Sequence, residues 1–452
     1  MRKSRLIAGI AAALVATSTL AACGSGAGGS SAEDGTLTFM FRGGDDEKKA
    51  YQDAIDRFTE DTGVKVKVIV TDADQYATKL QAAVAGNKVP DVFYVEQGSL
   101  QSYVSSGVLM DITDEVAEQG VDLDNIWPYG IDSYRFDGTL QGTPDGQLYA
   151  LPKDVGPMAL GYNKTMLEEA GVELPDADEP MTREDWLKVL KKVTKDTDGD
   201  GEVDQWGTGL NVNWTLQSFV WSNGGDWTND DRTQVTVDTP EFADALQFFA
   251  DLTTKDKVTP DPEQAATLDT YQRFMEGQIA FFPVGPWDVS TYNDLDFDYD
   301  LMPWPTGTTG DPATYIGSLG IGVSNTTALP EDAVKLATYL STDETAQQTL
   351  VDANIQIPNR IDTAEQWATA EDAEPANRQE FLDIIEQYGR AMPAAYTYSP
   401  QWYDELFVGI QPVLDGKTPA ADYLAEVQPR MQELLDQTNE QAEQAAAAGS
   451  AP

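Results

Sequence analysis

The repeated switch of hydrophobic period between residues 36 and 95 constrains the fold of this chain more than any other feature. Thr36 to Phe41 (TLTFMF) reads as a strand, and Asp45 to Thr62 then places Tyr51, Ile55 and Phe58 on one helical face. Val64 to Val70 alternates Val and Lys, a second helix runs near Gln75 to Ala85, and Pro90 opens the apolar strand Asp91 to Val95. A strand-helix-strand-helix-strand unit needs crossover connections, so an α/β fold with a largely parallel sheet is expected. In such sheets ligands sit beyond the carboxyl ends of the strands. Two loops therefore become candidates: Arg42-Gly43-Gly44-Asp45 after the first strand and Glu96-Gln97-Gly98 after the third. The same vocabulary returns with a strand at Ala159 to Tyr162 and helices at Thr182 to Lys195 and Pro240 to Leu252. At 452 residues the chain is long enough for more than one lobe.

Composition removes whole classes of function. Lys+Arg 29 against Asp+Glu 76 gives a formal charge of −47, and such a surface repels phosphate backbones, so no nucleic-acid partner is expected. With His 0 there is no imidazole for Ser-His-Asp or Cys-His catalysis or for a His-ligated metal. Cys 1 excludes an intramolecular disulfide and a thiolate cluster.

That cysteine lies in an address. Arg2, Lys3 and Arg5 precede the apolar stretch Leu6 to Leu20, which has the length of a signal-peptide core and is too short to span a membrane comfortably. Leu20-Ala21-Ala22-Cys23-Gly24 looks like a bacterial lipobox, in which the cysteine is lipidated and becomes the new N-terminus. Residues 1–22 are thus expected to be a lipoprotein signal peptide and 23–35 a flexible Gly/Ser tether. Two acyl chains on Cys23 suffice for stable anchoring, here at the outer face of the bacterial cell membrane. At the other end, residues 438–452 are low in complexity and expected to be a disordered tail.

One local motif has metal-binding spacing. In Asp196-Thr197-Asp198-Gly199-Asp200-Gly201-Glu202-Val203-Asp204, oxygen ligands at positions 1, 3, 5 and 9 and glycine at 6 fit a calcium loop of the EF-hand type. Position 12 is Gly207 instead of a bidentate glutamate. The alternative is a solvated acidic turn closing a Lys-rich helix. One structural Ca2+ is the only cofactor that the sequence suggests. No GxxxxGK[ST], GxSxG or CxxC element is present, and no pair among the many carboxylates is singled out for hydrolysis.

Several segments in order carry a family resemblance: the lipobox, the opening strand and helix, Pro90 to Val95, Tyr149-Ala150-Leu151-Pro152-Lys153-Asp154 with Tyr162-Asn163-Lys164, Gly224-Gly225, and Gly277 to Trp287 (GQIAFFPVGPW). Together, over about Thr36 to Leu435, the chain resembles the extracellular solute-binding proteins of sugar ABC transporters, in the cluster that includes maltodextrin-binding protein. The resemblance implies a two-lobed periplasmic-binding-protein fold of the class II type with the ligand in the cleft between lobes. Its lobes would be 36–152 plus 312–358 and 153–311 plus 359–437. It further implies a monomer that captures an oligosaccharide and hands it to ABC permease subunits, without catalysis. Carried over by position, Trp214, Trp287 and Trp402 match sugar-stacking aromatics, and Asp154 or Lys153 falls where an acid hydrogen-bonds hydroxyls. Where the family often sets an acidic and a basic residue after the third strand, this chain has Glu96 and Gln97, with Arg42 and Asp45 in the neighbouring loop. A flat indole under the apolar face of a pyranose suits that role. The competing readings are a secreted glycoside hydrolase, which would consume its ligand, and a binder of a peptide or polyol phosphate. The latter needs a basic cluster near the cleft, and Arg42 and Lys153 are the evident cations.

Overall fold

The computed structural model describes residues 35–176, 179–371 and 373–449. The signal segment and Cys23 lie outside the described residues. No helix among the described residues is long and apolar enough to cross a membrane.

The chain begins β1 (Thr36–Arg42), α1 (Asp45–Thr62), β2 (Lys65–Thr71), α2 (Ala73–Ala85) and β3 (Val92–Glu96). Leu37, Phe39 and Phe41 of β1 pack on Tyr51, Ile55 and Phe58, the apolar face of α1. Gly63 ends that helix in the left-handed region (φ 76°), where glycine carries no Cβ penalty. Both β2 and β3 pair with β1 in parallel. A buried carboxylate fixes their register: Asp91 accepts hydrogen bonds from Thr38 N (2.8 Å) and Thr38 Oγ1 (2.7 Å). The sheet is completed by β4 (Ala150–Pro152) and by a strand that returns late in the chain.

After β4 the chain crosses through β5 (Gly156–Pro157) and builds a second sheet. Its parts are β6 (Ala159–Asn163), α3 (Arg183–Val193), β7 (Trp206–Thr208), α4 (Val212–Ser222), α5 (Pro240–Thr254), β8 (Ile279–Val284) and β9 (Tyr299–Met302). The strand order is β9-β6-β8-β7, and Trp186, Leu190, Phe219 and Phe281 belong to one core. The chain crosses back through β10 (Thr314–Gly317) and adds β11 (Leu319–Val323) between β3 and β4, followed by α6 (Pro330–Thr342) and α7 (Glu344–Asp352). Alternate glycines in β11 admit close neighbours, since a Cβ on Gly320 would lie 2.6 Å from the Tyr134 ring. A short β12 (Gly389–Arg390) joins β10 and β5 in a three-stranded crossing sheet, and α8 (Ala420–Gly449) ends the described chain.

Two expectations are corrected. The sheets are mixed rather than largely parallel: β11 runs antiparallel to both β3 and β4, and β6 antiparallel to β8 and β9. The reason is that the return segment enters the first sheet from the other lobe, opposite in direction to the βαβ unit. Residues 438–449 are also not a disordered tail. They extend α8, where Thr438 is buried and Asn439 Nδ2 donates to Arg232 O at 3.2 Å. Ala, Gln and Glu propagate a helix readily once a docked segment has nucleated it.

Candidate ligand-binding cleft

Strand order brings together groups that lie far apart in sequence. Because β1 and β3 are neighbours, Arg42 and Glu96 at their carboxyl ends form an ion pair at 3.1 Å. The cation missing after the third strand is thus supplied by the adjacent strand. Next to it, Lys153 Nζ lies 2.9 Å from Asp154 Oδ2 and 3.5 Å from Glu47 Oε1. Burial by itself would lower the Lys153 pKa, but the Asp154 and Glu47 carboxylates outweigh it and hold the ammonium above its usual value. Glu47 also accepts from Tyr94 OH at 2.8 Å. Asp154 Oδ1 accepts from Leu319 N at 3.0 Å, so one acid ties both crossing segments. The five charged groups in these two clusters carry a net charge of −1. Asp45 stands exposed in the first turn of α1.

The aromatic side of the cleft comes from the second lobe. Trp214, in the first turns of α4, is 51% exposed, with its ring centroid 6.2 Å from that of Tyr315 on β10. Tyr315 links the two sides. Burial raises its hydroxyl pKa, Asp154 and Glu96 raise it further, and Arg42 opposes them. Trp287 is 46% exposed and follows Gly285-Pro286 after β8. Trp402 is different: it is 0% exposed, sits in the second-lobe core and donates its indole N–H to Thr397 Oγ1 at 3.1 Å. Its place in a helix packed beneath α8 turns the ring inward, so it is a core residue in this structure rather than a free stacking face. Gln97 likewise presents no free face to a ligand. It is buried, and its amide donates to Ser133 Oγ (2.7 Å) and Tyr129 OH (3.0 Å).

Residues that sequence reasoning missed close this part of the molecule. Tyr396 accepts or donates a 3.0 Å bond with Ser133 Oγ, and its carbonyl accepts from Gln101 Nε2 at 2.9 Å. The Arg232 guanidinium lies 5.0 Å over the Tyr396 ring, and its Nη1 approaches the carbonyls of Gln141 and Tyr396 at 3.5 Å. Tyr315 and Glu47 were missed too. Nothing local marks any of them, although Tyr315 stands two residues before Gly317 on a strand that crosses between lobes.

In the loop after α3, Asp196, Asp198 and Asp204 can each bring a carboxylate oxygen within 4.8 Å of the others. Asp200 and Glu202 are not part of that group, and Gly207 at position 12 belongs to β7. Backbone N–H groups of Gly201 and Gly199 hold the Asp196 carboxyl below its ordinary pKa.

Two α/β lobes joined by crossing strands, with half-exposed indoles on one lobe and paired charges at the strand ends of the other, define a two-lobed binding protein. The model of the bacterial extracellular solute-binding proteins matches residues 44–347, and the chain belongs to that family. The diacetylchitobiose binding protein DasA of Streptomyces coelicolor is 25% identical over 378 residues, covering 79% of this chain and 82% of that protein. The maltodextrin-binding protein MdxE of Bacillus subtilis is 23% identical over 346 residues, covering 75% of each. Among solved structures, the ABC substrate-binding protein Lmo0181 of Listeria monocytogenes in complex with cycloalternan superposes with a TM-score of 0.76. It is 25% identical and covers 89% of this chain and 99% of that one.

Proposed function

We propose that the protein captures a neutral oligosaccharide between its lobes and delivers it unchanged to the permease of an ABC importer. In this reading it is held at the outer face of the cell membrane by a lipid on Cys23. The observation that carries the proposal is that the ring of half-exposed Trp214 lies 6.2 Å from that of Tyr315, whose hydroxyl pKa is raised by burial and by the carboxylates of Asp154 and Glu96, while Trp287 of the same lobe is also half exposed. Indoles cover the apolar faces of sugar rings, and carboxylates accept from the hydroxyl rim. Arg42 and Lys153 are each already paired with acids, which takes these two cations out of play for an anionic ligand. The sugars bound by relatives support the same class.

The test is calorimetric titration with diacetylchitobiose, maltotriose and cycloalternan, followed by chromatography of the recovered sugar. Binding of an intact sugar that Trp214→Ala and Trp287→Ala weaken is the expected result. Wild-type affinity in both variants, or a cleaved ligand, refutes the reading. We further propose that the loop at 196–204 binds Ca2+ through Asp196, Asp198 and Asp204, as a brace behind β7 and not as part of the ligand site.

A further inference from the structure

Trp287 owes its position to groups that contain no large side chain. An ideal Cβ built on Gly156 would lie 2.8 Å from its Cζ3 atom, and one built on Gly285 would lie 2.3 Å from its Cε2 and Cζ2 atoms. The six-membered ring of the indole therefore lies against two bare α-carbons. Gly285 is held in turn by Asp288, whose Oδ2 accepts the Gly285 N–H at 3.0 Å and closes the Gly285-Pro286-Trp287 turn. Gly156 belongs to β5 and pairs with Gly317 of β10, so one side of this slot is a strand that crosses between the lobes.

We propose that Gly156, Gly285 and Asp288 form a seat for the Trp287 indole, and that the seat couples the ring to the crossing strands. Rotation of one lobe against the other moves Gly156 relative to the Gly285 turn, so the ring reaches its binding orientation only at one hinge angle. Gly156, Gly285 and Asp288 are positioning residues, because they act on ligand through Trp287. This consequence for binding rests on the cleft being the ligand site. The seat itself does not.

The surroundings of Asp288 make the seat sensitive to acid. Burial pushes its carboxyl up to about 6, with the Gly285 N–H bond opposing. The titratable groups facing it are the hydroxyls of Tyr271, Tyr292 and Tyr299, which are raised themselves and neutral below that range. Among the described residues no ion pair offsets the charge. Protonation turns a charge-assisted bond to Gly285 into a weaker neutral one, so the turn and the indole loosen as pH falls through about 6.

The test labels the full chain with 5-fluorotryptophan and follows the Trp287 resonance, identified by its loss in Trp287→Phe. In wild type it should titrate with a midpoint near pH 6. In Asp288→Asn, which keeps an oxygen acceptor for Gly285 N–H, it should stay near the neutral-pH position and lose the titration. In Asp288→Ala it should broaden or shift at every pH. Gly156 has no left-handed φ, so Gly156→Ala leaves the backbone unstrained and displaces the ring, moving this resonance while the other indoles keep theirs. A Trp287 resonance that is flat from pH 5 to 7.5 and unmoved by Gly156→Ala overturns the proposal. Sugar titration of Gly156→Ala should show a loss of about ten-fold. If wild type binds no sugar, the functional reading fails while the resonance test still decides the seat.

Discussion

Truncating Trp402 and Trp214 in parallel separates a core indole from a cleft indole, because the structure predicts opposite signatures. Trp402 is 0% exposed, and Trp→Ala in a core costs about 3–5 kcal/mol through lost burial and the cavity left behind. Loss of its hydrogen bond to Thr397 adds about 1 kcal/mol. Trp402→Ala should therefore lower the melting temperature markedly, while the fraction that remains folded binds ligand with near wild-type affinity. Trp214 is 51% exposed, and its truncation opens no sealed cavity, so stability should change by less than about 1 kcal/mol. A sugar face covering roughly 80 Å² of that indole contributes on the order of 2 kcal/mol, a loss of about 30-fold in Kd on truncation. Differential scanning calorimetry and isothermal titration of both variants read the two axes independently. The reasoning is refuted if Trp402→Ala is as stable as wild type and binds poorly, since the buried ring would then be a ligand platform.

Glu380 is buried beside Asp383 and accepts from Tyr388 OH, and burial, with Asp383 adding to it, pushes its carboxyl from 4.5 up to about 9. A raised acid costs stability as pH rises from the unfolded value through the folded one, at about 1.4 kcal/mol per unit. Glu380→Gln should thus match wild type near pH 4 and become progressively more stable than it between pH 5 and 9. A constant difference in denaturant midpoint across that range rules the account out. For the loop at 196–204, millimolar Ca2+ should raise the melting temperature of wild type and not of Asp196→Ala with Asp204→Ala, by mass action on the folded state. Equal curves with Ca2+ and with chelator leave only an acidic turn. Cys23→Ala should release the protein into the medium or leave it unprocessed, and retention of normally processed protein in the membrane fraction argues against the lipid anchor.

Much of the first lobe could be read from periodicity, because each of its early elements buries one face locally. Residues 45–62 place Tyr51, Ile55 and Phe58 at helical spacing, and the observed α1 has those bounds. The antiparallel return of β11 could not be read, since a strand's direction in a sheet depends on where the chain has been between Pro152 of β4 and Leu319 of β11. The family resemblance placed Trp287 as a stacking aromatic, and the structure leaves it nearly half exposed.

The sequence by itself determined the order of the opening strands and helices, the acidity that turns away polyanions, and the absence of imidazole, intramolecular disulfide and thiolate-cluster chemistry, because composition and local spacing suffice for these. Tertiary structure alone decided which side chains face the cleft. Trp287 and Trp402 both follow a proline within two residues, yet one ring lies on bare glycine backbone and the other is sealed in a core. Arg42 meets Glu96 only because β1 and β3 are neighbours, and Lys153 meets Glu47 only because β4 ends beside the first turn of α1. Burial and pairing are properties of what arrives from elsewhere in the chain, and no local pattern encodes that.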